Sequence, residues 1–220
     1  MGLKDRSFAR RVARECLERG DTTGWFERLY AAAEGDPERI PWADLAPNPN
    51  LTRYIEDGDI QGLGKKALKV GCGLGDDAEY LSSIGFRVLA FDVAPSSIAW
   101  CQRRFPQSQV DYAVSDLFHA PADWRQAFAF VLESYTLQVL PPHIRRPAMA
   151  CIAQFVAPGG TLVLIARGRD EGESEGEMPW PLLRSELEGF RESGLEEVAF
   201  EDYRDEDEPA VRRFRAVYRG

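Results

Sequence analysis

The stretch 68-LKVGCGLGDDAEYLSSIGFRVLAFDV-93 decides the fold. An apolar segment runs into Gly71-Cys72-Gly73-Leu74-Gly75, a short amphipathic segment follows, and a second apolar segment closes on Asp92 and Val93. That order of strand, glycine turn, helix and strand is a βαβ unit, whose two strands run parallel. Glycines at this spacing let the backbone approach a ligand closely, and an acid ending the second strand can accept both hydroxyls of a ribose. Gly71, Cys72, Gly73, Gly75, Asp92 and Val93 are therefore candidate nucleotide-binding residues.

Two kinds of nucleotide use such a turn, and position 76 separates them. A dinucleotide fingerprint, G-x-G-x-x-G, would need its third glycine there, and the residue is Asp76. A carboxylate against a pyrophosphate at a helix N-terminus is electrostatically wrong. S-adenosylmethionine (SAM) has no phosphate and carries a positive sulfonium and an amino group, so Asp76 and Asp77 at the helix start suit it. Asp116, just past a third strand in "VDYAVSDLF", is placed to read an adenine amino group, with Leu117 beside it. Nicotinamide chemistry is further disfavoured because no Tyr-x-x-x-Lys pair is present.

Outward from the turn, strand candidates are 67–70, 87–91, 110–114, 128–133, 160–166, 197–202 and 213–218. Helical segments are expected at 76–84, 96–105 and 145–155, and before the core at 7–19 and 25–33. Prolines 41, 47 and 49 make "IPWADLAPNPNL" an ordered loop. Short apolar strands alternating with helices indicate an α/β doubly wound sheet. No helical pattern separates the last two strands, which predicts a hairpin with the final strand antiparallel. The stretch 169–180, "RDEGESEGEMPW", is polar and Gly/Glu-rich and reads as a mobile loop or lid. The expectation is one domain over 1–220, with 1–64 a helical and loop cover and 65–220 the binding core.

Composition narrows the partners. The 220 residues include 36 acidic and 27 basic side chains, a formal net charge of −9, which disfavours a phosphate backbone as partner. No apolar run approaches the ~20 residues that span a bilayer, and the charged N-terminus lacks the apolar centre of a signal peptide; a cytoplasmic location is expected. Cys16, Cys72, Cys101 and Cys151 are scattered, with neither metal-ligand nor disulfide spacing, so no metal is expected. An acidic domain of this size would be content as a monomer or homodimer.

The glycine turn with Asp92 and Asp116, and the segment "APGGTLVLIARGR" (157–169) with its Pro-Gly-Gly turn, resemble the class I SAM-dependent methyltransferases over about residues 65–220. The resemblance implies a Rossmann-like seven-stranded sheet with helices on both faces, the last strand antiparallel, and conversion of SAM to S-adenosylhomocysteine (SAH). Trp25, Pro41-Trp42 and Pro47-Asn48-Pro49, with "ESYTLQVLPPHIRRPA" (133–148) and "GEMPWPLLRSEL" (176–187), are similar to the thiopurine and thiol methyltransferase group. That likeness implies a thiol or other soft acceptor and a cofactor lid made by Trp25 and Trp42. Ala43-Asp44-Leu45 and Glu133-Ser134-Tyr135 depart from the group's pattern near the acceptor.

Methyl transfer needs aligned reactants and excluded water, and an amine or hydroxyl acceptor also needs a base. Glu133, at the end of the fourth strand, is the best-placed base or cofactor contact, and Tyr135 is a second catalytic or acceptor-lining candidate. His119 and His143 read as exposed or capping residues. Trp180 is a candidate roof for the acceptor, and Arg167 a candidate anion contact beside Arg169. An N- or O-methyltransferase, or a SAM-binding sensor without turnover, are the alternatives to thiol methylation.

Overall fold

The computed structural model describes residues 6–205 and 209–220; residues 1–5 of the expected N-terminal cover, and 206–208, lie outside it. The fold is α/β, with mostly parallel strands and a C-terminal antiparallel pair. The chain packs as two compact units. One comprises the described residues up to Gly64 together with Gly71–Asp116; the other comprises Lys65–Val70 and Leu117–Gly220.

In the first unit, α1 (Ser7–Leu17) buries Ala9, Val12, Ala13 and Cys16, a helical stripe. In α2 (Gly24–Ala33), Trp25, Leu29, Tyr30 and Ala33 are buried, and Asp21 accepts the Gly24 N–H at 2.7 Å to secure its start. The proline-rich loop ends sooner than expected. Pro49 opens α3 (Pro49–Asp57), because a proline at the first helical position lacks only an N–H that would have no partner in the helix, and Asn48 caps it through Asn50 N–H at 2.9 Å. After the glycine turn come α4 (Asp76–Ser83), β2 (Arg87–Asp92), α5 (Pro95–Arg104) and β3 (Asp111–Val114). β2 and β3 pair in parallel, Leu89 opposite Asp111 through Asp92 opposite Val114. α4 packs on β2, and α5 on both strands.

In the second unit, β1 (Lys66–Val70) pairs in parallel with β4 (Phe128–Ser134), and β4 with β5 (Val156–Arg169). β8 (Arg212–Arg219) lies antiparallel between β5 and β7 (Glu196–Arg204), as the missing helix between the last two strands predicted. A two-residue strand, β6 (Leu182–Leu183), also pairs with β5; it is too short to show a period in the sequence. Thus all seven expected strands form, and among the described residues an eighth is added. α6 (Pro142–Ala153) begins three residues before the expected Arg145, again on a proline at the first position, and α7 (Glu188–Glu192) precedes β7.

The segment 170–181 is wound about Arg169, which is 9% exposed and donates to the carbonyls of Glu173 at 2.7 Å and Pro181 at 3.1 Å. Arg169 thus spends these donors on its own loop. Arg145, 1% exposed, pairs with Glu186 at 2.8 Å and donates to the carbonyls of Leu140 and Trp180. Removing one member of a buried pair strands the other. Arg145→Met is expected to lower stability in urea by about 3 kcal/mol.

Candidate active site

In the first unit the glycine turn is held by side chains. Gly71, Gly73 and Gly75 have φ of 58°, 56° and 91°, the left-handed region that favours glycine. Cys72 N–H donates to Phe91 O at 2.9 Å and Gly73 N–H to Asp92 Oδ2 at 3.0 Å, while Ala94 N–H donates to Asp92 Oδ1 at 3.0 Å. Asp92, 6% exposed, therefore fixes the turn and the start of α5 at once. The Gly73 carbonyl accepts from Ser97 Oγ at 2.5 Å and from the Cys101 thiol at 3.2 Å. A Cβ on Gly75 would stand 2.5 Å from the Tyr112 hydroxyl, so packing demands that glycine as well as any ligand.

Asp76 is not a bare carboxylate. Arg104 binds it with two nitrogens, at 2.8 and 2.7 Å, and also donates to Leu74 O. Asp77 accepts the Asn48 N–H at 2.8 Å. The charge at position 76 is thus largely neutralised.

The cover meets the turn through a residue that sequence reasoning did not select. Tyr30 accepts from Trp42 Nε1 at 2.9 Å, and its hydroxyl lies 3.3 Å from the Cβ position of Gly73. Burial, and next the Asp92 charge, hold its phenol well above the ordinary range, so it stays neutral. Trp25 is 0% exposed, stacked on Phe26 at 3.8 Å and edge-on to Trp42 at 6.0 Å. In this arrangement Trp25 staples the cover, and the half-buried Trp42 is the ring that reaches the turn. Asp116 is half-buried past the end of β3, followed by the buried Leu117.

In the second unit, Glu133 stands opposite Val70, the last residue of β1 before the turn. It is 0% exposed. Its Oε1 accepts Thr136 N–H at 2.7 Å and Leu137 N–H at 2.9 Å, while its Oε2 has no hydrogen-bond partner. Burial pushes this carboxyl up to about 7, against the opposing pull of Leu137 N–H, Lys69 and Thr136 N–H. Tyr135 is held at φ 65° by its N–H to Ile165 O at 3.0 Å, and the Arg213 guanidinium lies over its ring at 5.1 Å. Gln138 gathers the rest: Oε1 accepts Arg167 N–H at 2.8 Å and its carbonyl accepts Trp180 N–H at 2.7 Å. Glu133, Tyr135, Arg167 and Trp180 therefore share the carboxyl edge of β4 and β5. His119 and His143 are exposed, and among the described residues no metal-binding cluster occurs.

Residues 67–160 match the family model described as a methyltransferase domain. The matched segment is a methyltransferase domain, and the enzyme it belongs to is SAM-dependent. Among curated relatives, this methyltransferase is 25% identical over 167 residues to the 2-heptyl-1-hydroxyquinolin-4(1H)-one methyltransferase of Mycobacteroides abscessus, covering 74% of this chain and 72% of the other. It is 31% identical over 129 residues to the ubiquinone biosynthesis O-methyltransferase of Xanthomonas axonopodis pv. citri, covering 56% of this chain and about half, 52%, of that enzyme. In fold it resembles the 1,6-didemethyltoxoflavin-N1-methyltransferase of Burkholderia thailandensis, solved with its substrate and SAH. There the TM-score is 0.70 at 17% identity, over 92% of this chain and 89% of that one. SAM is the cofactor. The residues present fit it: in the first unit the glycine turn is set among the Asp77 and Asp92 carboxylates, surroundings that suit a cationic ligand and not a pyrophosphate.

Glu133 also makes stability depend on pH. Its carboxyl titrates near 7 when folded and near 4.5 when not, so between those values the folded chain holds a proton the unfolded chain has released. Stability from this group is therefore greatest below the lower value and falls as pH rises to the upper one, by about 3 kcal/mol. Urea denaturation of the wild type and Glu133→Gln across that window is expected to show the decline in the wild type alone.

Proposed function

We propose that this methyltransferase alkylates a hydroxyl or ring-nitrogen acceptor on a small aromatic molecule, with Glu133 as the base. The observation carrying this reading is the Glu133 carboxyl itself: fully buried at a strand end, one oxygen fixed by two N–H groups and the other without a partner. A base is most effective when it titrates near the working pH, and burial brings Glu133 there. The acceptors named for the relatives, a hydroxyquinolone and a didemethyltoxoflavin, support an oxygen or nitrogen site.

SAM supplies an electrophilic methyl group on a positive sulfur, a leaving group that needs no acid. The turn Gly71, Cys72, Gly73 and Gly75, with Asp92, Val93, Asp116 and Leu117, would hold the cofactor, and Trp42 would cover it. Glu133 Oε2 would receive the proton that the acceptor gives up. Tyr135, Arg167 and Trp180, on the same edge of their unit, would position the acceptor and exclude water. A monomer or homodimer in the cytoplasm suits a chain with small substrates and a net charge of −9.

Thiol acceptance, implied by the likeness of the 133–148 and 176–187 segments, is the second reading. A thiol loses its proton readily and needs no Glu133, so one comparison separates the two. Calorimetry with SAH is expected to show binding that Asp92→Ala abolishes, with NADH giving no heat. Glu133→Gln is expected to cut turnover of hydroxyl or ring-NH acceptors by about 10²–10⁴-fold, whereas retained turnover of thiols in that variant would establish the thiol reading instead.

A further inference from the structure

β1 is buried from Ala67 to Val70, and one of these four inner residues is a lysine. Lys69 is 2% exposed, a burial that lysine almost never tolerates without partners. Its Nζ bends forward along the strand and donates to Val70 O at 2.8 Å. Thr136 Oγ1 donates to the same carbonyl at 3.3 Å, and Thr136 N–H donates to Glu133 Oε1 at 2.7 Å. Val70 and Glu133 are opposite each other in the parallel register. The ends of β1 and β4 are thereby closed into a ring of contacts running from Lys69 through the Val70 carbonyl and Thr136 to Glu133.

The surroundings of Glu133 give Lys69 a task. The residues in register with it, Val70 on β1 and Leu164 on β5, are apolar. Its two hydrogen bonds come from neutral backbone donors, and the charge acting on it within the unit is the Lys69 ammonium. Packing alone would be met by a leucine or methionine at this position, without the cost of desolvating a cation. A buried carboxyl with an unbonded oxygen, by contrast, stays protonated well above neutrality unless a cation stands nearby.

We propose that Lys69 is a positioning residue whose buried ammonium keeps the Glu133 carboxylate ionised, leaving Oε2 able to receive a proton. Its importance for turnover rests on the reading of Glu133 as the base, but the electrostatic linkage exists without any substrate and is measured without one.

The test uses the full chain labelled with ¹³C at the glutamate carboxyls. The Glu133 resonance is identified by its absence in Glu133→Gln and titrated in the wild type, Lys69→Met and Lys69→Gln. Methionine fills the lysine's volume without a charge. Glutamine keeps a donor for Val70 O, so it decides the matter if the methionine variant does not fold. Both variants are expected to raise the Glu133 midpoint by about one pH unit or more. The acid limb of the turnover profile should move by the same amount, so that a loss of about tenfold at neutral pH is recovered at alkaline pH. A Glu133 midpoint unchanged in either folded variant overturns the proposal and leaves Lys69 a packing residue. If the midpoint moves while Glu133→Gln retains full turnover, Lys69 still governs Glu133, and it is the assignment of the base that fails.

Discussion

The Asp92 carboxylate carries the local order on which the cofactor turn depends. A chain leaving a buried strand through three left-handed glycines has little of its own to hold it, because each glycine gives up more backbone freedom on folding than any other residue. Asp92 reaches back from the next strand, taking Gly73 N–H on one oxygen and Ala94 N–H on the other. One side chain thereby fixes both the turn that opens α4 and the bend that opens α5. Ser97, Cys101 and Arg104 then bind the turn's outward carbonyls from α5. The surface offered to a ligand is rigid because neighbouring residues have already satisfied its polar groups.

A comparable economy governs the other unit at the end of β4. Glu133 is drawn into a place where its ionised form is costly, and the site offsets this only in part, with two N–H groups on one oxygen and a buried lysine nearby. An incompletely satisfied carboxyl of this kind is a poor device for stability and a good one for moving a proton near neutrality. The strands beyond it supply the frame. β8, placed between β5 and β7, keeps Arg213 beneath Tyr135 and leaves the β5 edge, with Arg167, next to the loop that Gln138 organises.

Much of this was legible in the chain. Short apolar segments alternating with amphipathic ones located all seven principal strands, and the lack of a helical pattern before the last strand foretold its antiparallel place. Glycine spacing and the acid at 92 marked the turn. The errors have local causes. Pro49 was taken as part of a loop although it begins a helix, where a proline's missing N–H does no harm. Arg169, which the sequence marked only as a neighbour of Arg167, is the post around which its loop winds. Asp76 was read as a charge that repels phosphate, whereas Arg104, twenty-eight residues on, had already claimed it.

Tyr30 and Lys69 show where sequence reading stops. Tyr30 sits on a helical stripe that any core would use, and nothing in its neighbours says that its hydroxyl arrives at Gly73. Lys69 left a signal, a lone cation inside the apolar run of β1, but its meaning needs the parallel register that sets Val70 opposite Glu133. Periodicity, turn residues and charge composition act over a few positions, so the sequence by itself determined the elements, the glycine turn and the class of cofactor. Which side chains satisfy one another, which carboxyl is left half-satisfied and which lysine stands near it depend on residues distant along the chain. Only the tertiary structure decided those, because hydrogen bonding and desolvation are set by what is adjacent in space.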